Sequence, residues 1–524
     1  MNNRDIQAAW KYHDGTKHSY WSIRNNPHFL DWANKPLPFK IYPKIEAIPL
    51  PRDVPQTGVA ALSSVCVSSV CVSSAQAESV PDLQDLARVL FFSVGITKER
   101  AFQGGTMYFR AAACTGALYE IELYVVTGDL KGLDAGVYHF NPADVSLRLL
   151  RKGDFRGNLA HATAMQAAVA HAPAIVVCTG TYWRNAWKYQ ARTYRHFGWD
   201  NGTLLANLLA VSAASGLPAE IVLGFMDAEV NALLDLDTRR EVSLCLVPIG
   251  RTSEISLPSA REVVPLGLET IPLSLAEAEY PAMLEMHEAS SLASEEEVAE
   301  WREKPGFASP AQADESSAQP KTAQSVPLRR LPHEEEPKDT IEQVILRRGS
   351  TRMFDPSASM RSEQVGTILD CATRGLPADF LSTHLNDLYL IVHSVQDLKP
   401  GAYFFHREQL TLELLKEGKF RAEAYHLGLE QQLPADACVD IFFLADLHPI
   451  LKRYGNRGYR AVQLEAGTIG GRMYLATYAQ RLGATGLTFF DDDVTQFFSP
   501  HARGKSAIFL LAMGKPLKPK QAGD

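Results

Sequence analysis

A duplication constrains this chain more than any other feature. Leu123-Tyr124-Val125-Val126 recurs as Leu388-Tyr389-Leu390-Ile391, and Ala135-Gly136-Val137-Tyr138-His139-Phe140 as Pro400-Gly401-Ala402-Tyr403-Phe404-Phe405. Gly153-Asp154-Phe155-Arg156 recurs as Gly418-Lys419-Phe420-Arg421, and the segment from Tyr189 to Arg195 as that from Tyr454 to Arg460. Gly202 pairs with Gly467, Leu217 with Leu482, Phe225 with Phe490 and Asp227 with Asp492. Each pair is separated by the same interval (388 − 123 = 265). A fixed interval over this stretch means two copies of one folding unit.

The pattern inside each copy is α+β. In copy one, Ala117 to Thr127 reads as a strand, and Gly136 to Phe140 with Leu147 to Arg151 as a hairpin. Leu159 to Ala170 reads as a helix and Ala174 to Cys178 as a buried strand. Arg192 to Gly216 reads as a long helix, with strands at Glu220 to Gly224 and Glu241 to Ile249. Strands separated by long helices imply a central, mostly antiparallel sheet covered by helices. The units are expected at 81–285 and 339–524, after an N-terminal extension and linker (1–80) and on either side of a second linker (286–338). Serines interrupt Val59 to Ala77, which reads as a small-residue linker or edge strand rather than a membrane span. Ser-, Pro- and Glu-rich composition marks 286–338 as linker. Trp301 is expected to dock on a domain, which leaves Pro305 to Pro337 as the expected mobile part of the linker.

The chain has 524 residues, 46% hydrophobic and 21% charged, with Lys+Arg 52 against Asp+Glu 60 and a formal charge of −8. A mildly acidic chain lacks the basic footprint of a nucleic-acid binder. The polar N-terminus is not a secretory signal. Seven scattered cysteines suggest free thiols in a reducing cytoplasm. No zinc-type spacing appears, so no metal site is expected.

Copy one contains Arg110-Ala111-Ala112-Ala113-Cys114-Thr115-Gly116-Ala117-Leu118-Tyr119-Glu120-Ile121-Glu122-Leu123-Tyr124, and Trp187-Lys188-Tyr189 with Arg192, Tyr194, Arg195, Asp200 and Gly202. Both segments resemble the SagB/ThcOx-type dehydrogenases, a branch of the nitroreductase-like flavoproteins. Copy two contains Arg348-Gly349-Ser350-Thr351-Arg352-Met353-Phe354, similar to the nitroreductase R-x-S-x-R-x-F motif. The resemblance implies two nitroreductase-like domains fused as an intramolecular pseudodimer, with flavin mononucleotide (FMN) between them.

Each copy keeps what the other lacks. Copy one retains Gly-Ala-Leu-Tyr but has no R-x-S-x-R before Asp82. Copy two has R-x-S-x-R, but reads Asp379-Phe380-Leu381-Ser382-Thr383-His384 where the other segment belongs. One composite site and one decayed site are therefore expected. Arg348, Ser350 and Arg352 suit a phosphate, because guanidinium, hydroxyl and guanidinium face one oxygen cluster. Arg347 reads as solvated. The resemblance assigns Cys114, Thr115, Gly116, Ala117 and Leu118 to the flavin from copy one, with the Thr115 hydroxyl as a donor and Cys114 as an inert thiol. It brings the Gly483-Ala484-Thr485-Gly486 backbone past the ring and a C-terminal basic residue, Lys518, to the phosphate. Lys515 and Lys520 flank that position.

Lys188 and Tyr189 match the base and its partner in azoline-oxidising relatives. A lysine serves as base where burial and nearby cations lower its pKa, and Arg184, Arg192 and Arg195 are close in sequence. Copy two has Arg453-Tyr454 there, and an arginine cannot take the proton. Arg192, Arg457, Tyr194 and Tyr459 occur in both copies and read as packing residues; His196 reads as a satisfied polar group. The resemblance implies dehydrogenation of a small-molecule or peptide substrate, with peptide-modifying enzymes as partners. A nitro- or quinone-reducing activity on NAD(P)H and a flavin-free scaffold are the alternatives.

Overall fold

The computed structural model describes residues 3–67, 78–102, 105–303, 325–380 and 384–517. The N-terminal segment carries α1 (Gln7–Gly15), α2 (Tyr20–Arg24), β1 (Ala47–Pro49) and α3 (Ala61–Val67). Copy one follows with α4 (Leu83–Val94), the hairpin β2 (Ile96–Phe102) and β3 (Gly105–Arg110), β4 (Ile121–Thr127), β5 (Gly136–Asn141) and β6 (Ser146–Lys152). Next come α5 (Arg156–Ala162), α6 (Ala167–Ala170), β7 (Ala174–Thr181), α7 (Tyr182–Tyr189), α8 (Thr193–Ala214), α9 (Asp227–Leu233) and β8 (Glu241–Ile249). Helices α10 (Pro281–Ala289) and α11 (Glu295–Glu303) join the copies. Copy two comprises β9 (Ser325–Pro327), α12 (Ile341–Arg347), α13 (Ser362–Thr373), β10 (Asp387–Val392), β11 (Gly401–His406), β12 (Thr411–Glu417), α14 (Arg421–Leu427) and α15 (Gln432–Asp436). It ends with β13 (Val439–Ala445), α16 (Leu447–Tyr454), α17 (Arg457–Ala479), β14 (Gly483–Leu487), α18 (Asp491–Phe498) and β15 (Ser506–Gly514).

The fold is α+β: two antiparallel sheets covered by helices. Copy one orders its sheet β1-β6-β5-β4-β7-β8, and copy two β14-β15-β13-β10-β11-β12-β9. The central strands β4, β7, β10 and β13 are buried along their whole length, which explains their continuous apolar runs.

Helices α8 and α17 form the seam. Both are buried nearly all round, the mark of a helix at the centre of a core. They cross where Gly202 meets Gly467: a Cβ on either would overlap the other helix's backbone. Each glycine is the other's repeat equivalent, so the crossing lies on the pseudo-twofold axis. Two reciprocal clamps flank it. Arg192 and Arg195 of copy one pair with Asp491 of copy two at 2.9 and 2.6 Å. Arg457 and Arg460 of copy two pair with Asp227 of copy one at 2.6 and 2.7 Å. These pairs are buried, so each charge depends on its partner. Tyr194 and Tyr459 likewise contact His287 and His13, both at 3.2 Å.

The clamps correct the sequence register. Asp491, not Asp492, is the counterpart of Asp227; Asp492 lies at the surface with Lys17. The strand ladders agree, because Ala174 of β7 pairs with Ile249 of β8 as Val439 of β13 pairs with Met513 of β15. The interval is still 265 at Val222, which bridges Leu246 as Leu487 pairs with Leu510, and 264 from Phe225, which corresponds to Phe489.

Several other expectations change. Glu220 to Gly224 is not a strand: with Ala219 it makes three isolated bridges, Ala219 to Ile249, Val222 to Leu246 and Ile221 to Ala378 of copy two. Pro248 of β8 has no N–H to offer there, and the Ile221 amide donates instead to Pro377 of copy two. The helix expected over Leu159 to Ala170 breaks at Ala164 and Met165, both in the left-handed region. Ala61–Val67 is helical because Leu62, Val65 and Cys66 bury one face; residues 68–77 lie outside the described residues. The expected tether contains β9, which pairs with β12 as β1 pairs with β6; 304–324 lie outside the described residues. The extension and linker also hold equivalent straps. His18 and Leu292 each exchange a backbone pair with the clamp aspartates: the His18 and Leu292 amides donate to the carboxylates of Asp491 and Asp227, while the amides of Asp491 and Asp227 donate back to the His18 and Leu292 carbonyls. Free thiols were expected throughout, yet Cys66 of α3 and Cys371 of α13 form a disulfide. They lie 305 residues apart, a pairing that only the packing of the two copies brings together.

Candidate active site between the repeats

The sequence-predicted residues from both copies converge at one end of the seam. Thr115 begins a tight turn in which Gly116 and Ala117 are left-handed (φ 64° and 54°). Gly116 faces the Tyr189 hydroxyl, which lies 2.8 Å from where a Cβ would be, so only glycine fits. Leu118 packs with Trp183 and Trp187, fixing α7 beside the turn. Lys188, on the last turn of α7, is half-buried over the Tyr189 ring (5.2 Å). Among the described residues it has no hydrogen-bond or ion-pair partner. Burial first, and the Arg352 charge second, lower its pKa. The cation acting on Lys188 therefore comes from copy two. Arg184, Arg192 and Arg195 were expected to supply it, but Glu122 and Asp491 already neutralise them.

Copy two presents Arg348, Ser350 and Arg352 just after α12. Arg348 is not free for an anion alone: its guanidinium donates to the Ala111 carbonyl (3.0 Å), the Arg110 carbonyl (3.1 Å) and the Gly349 carbonyl (3.0 Å). It thereby clamps copy two to the strand leading into Cys114. Ser350 lies 3.4 Å from the Tyr474 hydroxyl. Arg352 is exposed and, among the described residues, unpaired. Arg347 donates to Asp339 at 2.8 Å. Lys518 and Lys520 lie outside the described residues. The Lys515 carbonyl accepts from the Asp355 amide, bringing the C-terminal strand alongside the arginine segment.

The Gly483–Gly486 backbone is partly engaged by the protein itself. β14 pairs along its length with β15. Thr351 donates to the Ala484 carbonyl at 2.9 Å, and the Gly486 amide donates to the Tyr474 hydroxyl. A Cβ at Gly483 would strike Thr351, so this glycine serves packing. Thr485 is buried. Past β14, the amides of Thr488 and Phe489 have no protein acceptor among the described residues; Thr488 is two residues beyond Gly486. Its hydroxyl meets His18 at 3.1 Å.

Asp200 organises the turn from below, a role the sequence did not assign. The Thr115 amide donates to both Asp200 oxygens (2.9 and 3.0 Å) and the Thr115 hydroxyl to one (2.9 Å). That hydroxyl, expected to face the flavin, thus donates inward. Cys114 Sγ donates within 3.3 Å of both Glu120 and Asp200. Burial and the Glu120 carboxyl push Asp200 well above the carboxylate range; burial and the two acids push the Cys114 thiol up, leaving it unreactive. The three donor atoms lie within 4.8 Å of one another. His196 meets Asn185 at 2.8 Å and packs edge-on against Tyr189.

The description "Nitroreductase family" matches residues 77–251 and 345–515, one match in each copy. The chain belongs to the nitroreductase family, a family of oxidoreductases. The nitroreductase-named protein MJ1384 of Methanocaldococcus jannaschii is 29% identical over 172 residues, 33% of this chain and 82% of that protein. A single copy thus accounts for most of such a relative. The crystal structure of a nitroreductase-named protein from Anabaena variabilis superposes with a TM-score of 0.76 at 25% identity, covering 97% of this chain and 99% of that one. The tandem arrangement is therefore present in that protein too. A chain of the E. coli microcin synthetase McbBCD complex with truncated pro-MccB17 bound has a TM-score of 0.31 at 16% identity, too low to bear on function. Among the described residues no helix is long and apolar enough to cross a membrane.

Proposed function

We propose that the chain is an FMN-dependent oxidoreductase of the SagB/ThcOx type. It dehydrogenates an azoline-like or other C–N substrate, a small molecule or a residue of a modified peptide. The observation that carries this is half-buried Lys188, without a partner among the described residues, over the Tyr189 ring whose hydroxyl faces Gly116, in the field of the unpaired Arg352 of copy two. Burying an unpaired ammonium next to a guanidinium is unfavourable. Such an arrangement suits a base that must be neutral and a cation awaiting an anion.

The residues present fit the cofactor. Arg352 and Ser350, with the remaining N–H groups of Arg348, suit its phosphate; the unpartnered Thr488 amide and the open face of Gly116 suit its ring. FMN, when bound, would supply the two-electron acceptor. The chain's own part is the proton: neutral Lys188 Nζ takes it from the carbon beside the substrate's imine or carbonyl. Tyr189, whose pKa burial and the Asp200 carboxyl raise, stays protonated and donates a hydrogen bond. Asp200 holds the turn that carries Gly116.

Purified protein should contain about one flavin per chain. Arg352→Ala combined with Ser350→Ala should lower the flavin-to-protein absorbance ratio several-fold. Lys188→Met should keep its flavin and lose substrate-driven bleaching by about 10²-fold or more, the usual worth of a positioned base. A colourless protein indifferent to added FMN would refute the reading, and normal turnover by Lys188→Met would remove the lysine from it. Bleaching by NAD(P)H alone would point to a reductase.

A further inference from the structure

The pseudo-twofold axis generates a second pocket, and its contents differ from the first. Its walls are the repeat equivalents: Arg453 and Tyr454 stand where Lys188 and Tyr189 do, and Leu223 stands where Thr488 does, followed by Gly224, a residue that copy two lacks. We propose that this second pocket is closed by the chain itself, with the Asp379 carboxylate and the Trp301 indole occupying the space that the first pocket leaves for a cofactor. The equivalence with a cofactor space rests on the flavin reading of the first site; the closure itself rests on contacts alone.

Asp379 accepts the Leu223 and Gly224 amides at 2.8 Å each. The matching Thr488 amide in the first site has no protein acceptor among the described residues. A planar pair of acceptor oxygens thus meets the backbone edge that would otherwise face a heterocycle. Trp301 is 3% exposed. Its indole N–H donates to the Tyr454 carbonyl at 2.9 Å, its ring lies 5.5 Å from the Tyr454 ring, and its edge is 3.3 Å from where a Gly224 Cβ would be. The plug is held from both copies. Arg453 donates to the Trp301 carbonyl (3.2 Å), and neighbouring Arg302 donates to the Thr163 carbonyl (2.9 Å) and the Ala164 carbonyl (3.2 Å). Tyr454 donates to the Phe380 carbonyl.

The equivalent strap of the first site does the opposite. Helix α2 buries none of its residues. The strap beyond it lies against the end of α7: His28 meets the Trp187 carbonyl (3.0 Å), the Trp187 indole N–H donates to the Asp31 carbonyl (2.9 Å) and Trp32 packs edge-on to Trp187, while Asn26 meets Gln190 just past the helix (2.7 Å). Two straps with matching anchors, at His18 and at Leu292, thus diverge: the second brings Trp301 onto Tyr454 and Gly224, while the first places Trp32 against Trp187 on α7. Removing the plug would leave a buried carboxylate without donors and bare an indole, so the filled state is favoured.

Amide hydrogen exchange on the full chain, with and without saturating FMN, tests this. Residues 221–226 should exchange slowly and be indifferent to FMN, while 486–490 slow at least 10-fold as one FMN binds per chain. Trp301→Ala with Asp379→Ala should speed exchange at 221–226 by 10-fold or more; Trp301→Phe with Asp379→Asn gives a milder change in the same direction if the first variant does not fold. Slowing of 221–226 by FMN, or two FMN per chain, overturns the plug, as does unchanged exchange at 221–226 in the variants. If FMN alters neither segment, the flavin reading of the first site fails, and the variant arm alone decides the plug.

Discussion

Lys188 and Arg453 occupy equivalent positions and have opposite fates. Lys188 is unpaired and held toward neutrality; Arg453 is permanently charged and tied to the Trp301 carbonyl. The pH profile of the proposed reaction follows. A base is active only when neutral, so kcat/KM should rise with pH along a limb lying below the ordinary lysine value. Arg352 lowers that limb through its charge; Arg352→Gln, assayed at saturating FMN, should move it to higher pH. An unmoved limb would show that Arg352 does not act on Lys188. Lys188 was legible in the sequence because the two copies differ there. The origin of its cationic field was not: sequence neighbours such as Arg184 are neutralised across the sheet, and Arg352 arrives from a segment 164 positions away (352 − 188 = 164). Asp200 was visible as part of a motif, but its grip on Thr115 depends on a contact between turn and helix that no spacing reveals.

At the scale of elements, the strands with uniform apolar runs and the two long helices were legible, because burial dictates composition directly. Short edge strands were not. β1 and β9 are three residues each and make sense only as additions to β6 and β12. The Glu220–Gly224 segment carries the apolar residues of a strand, but Ile221, Leu223 and Gly224 give their amides to Pro377 and Asp379 of copy two. The helix crossing makes a sharp prediction. Gly202→Ala places a methyl into the Gly467 backbone and should cost about 1–3 kcal/mol, read as a lowered denaturation midpoint. Gly15→Ala, where nothing lies within 4 Å, should be near-neutral. Equal midpoints for the two variants would mean the helices do not cross this closely.

For the molecule as a whole, stability should vary with pH through two carboxyls of opposite sign. Burial and the neighbouring Asp379 raise Glu220 to about 7, so between its ordinary value of 4.5 and 7 the native state binds the extra proton. Its contribution falls as pH rises through that window, by at most about 3 kcal/mol. Glu220→Gln should flatten that part of the stability curve; an unchanged slope would place the proton elsewhere. Burial alone would raise Asp227, but Arg457 and Arg460 outweigh it and hold the carboxyl at about 2. That stability is complete above the ordinary value of 3.8 and is lost as pH falls through 2. The duplication was plain in the sequence, but how much chain each copy recruits was not, because the straps share contacts rather than residues. The reciprocal clamps carry one more consequence. In an assembly of two identical chains, any inherited change strikes both halves at once, so neither can specialise without the other. Joined in one reading frame, the halves need keep in step only along the shared axis, and elsewhere each is free to evolve alone.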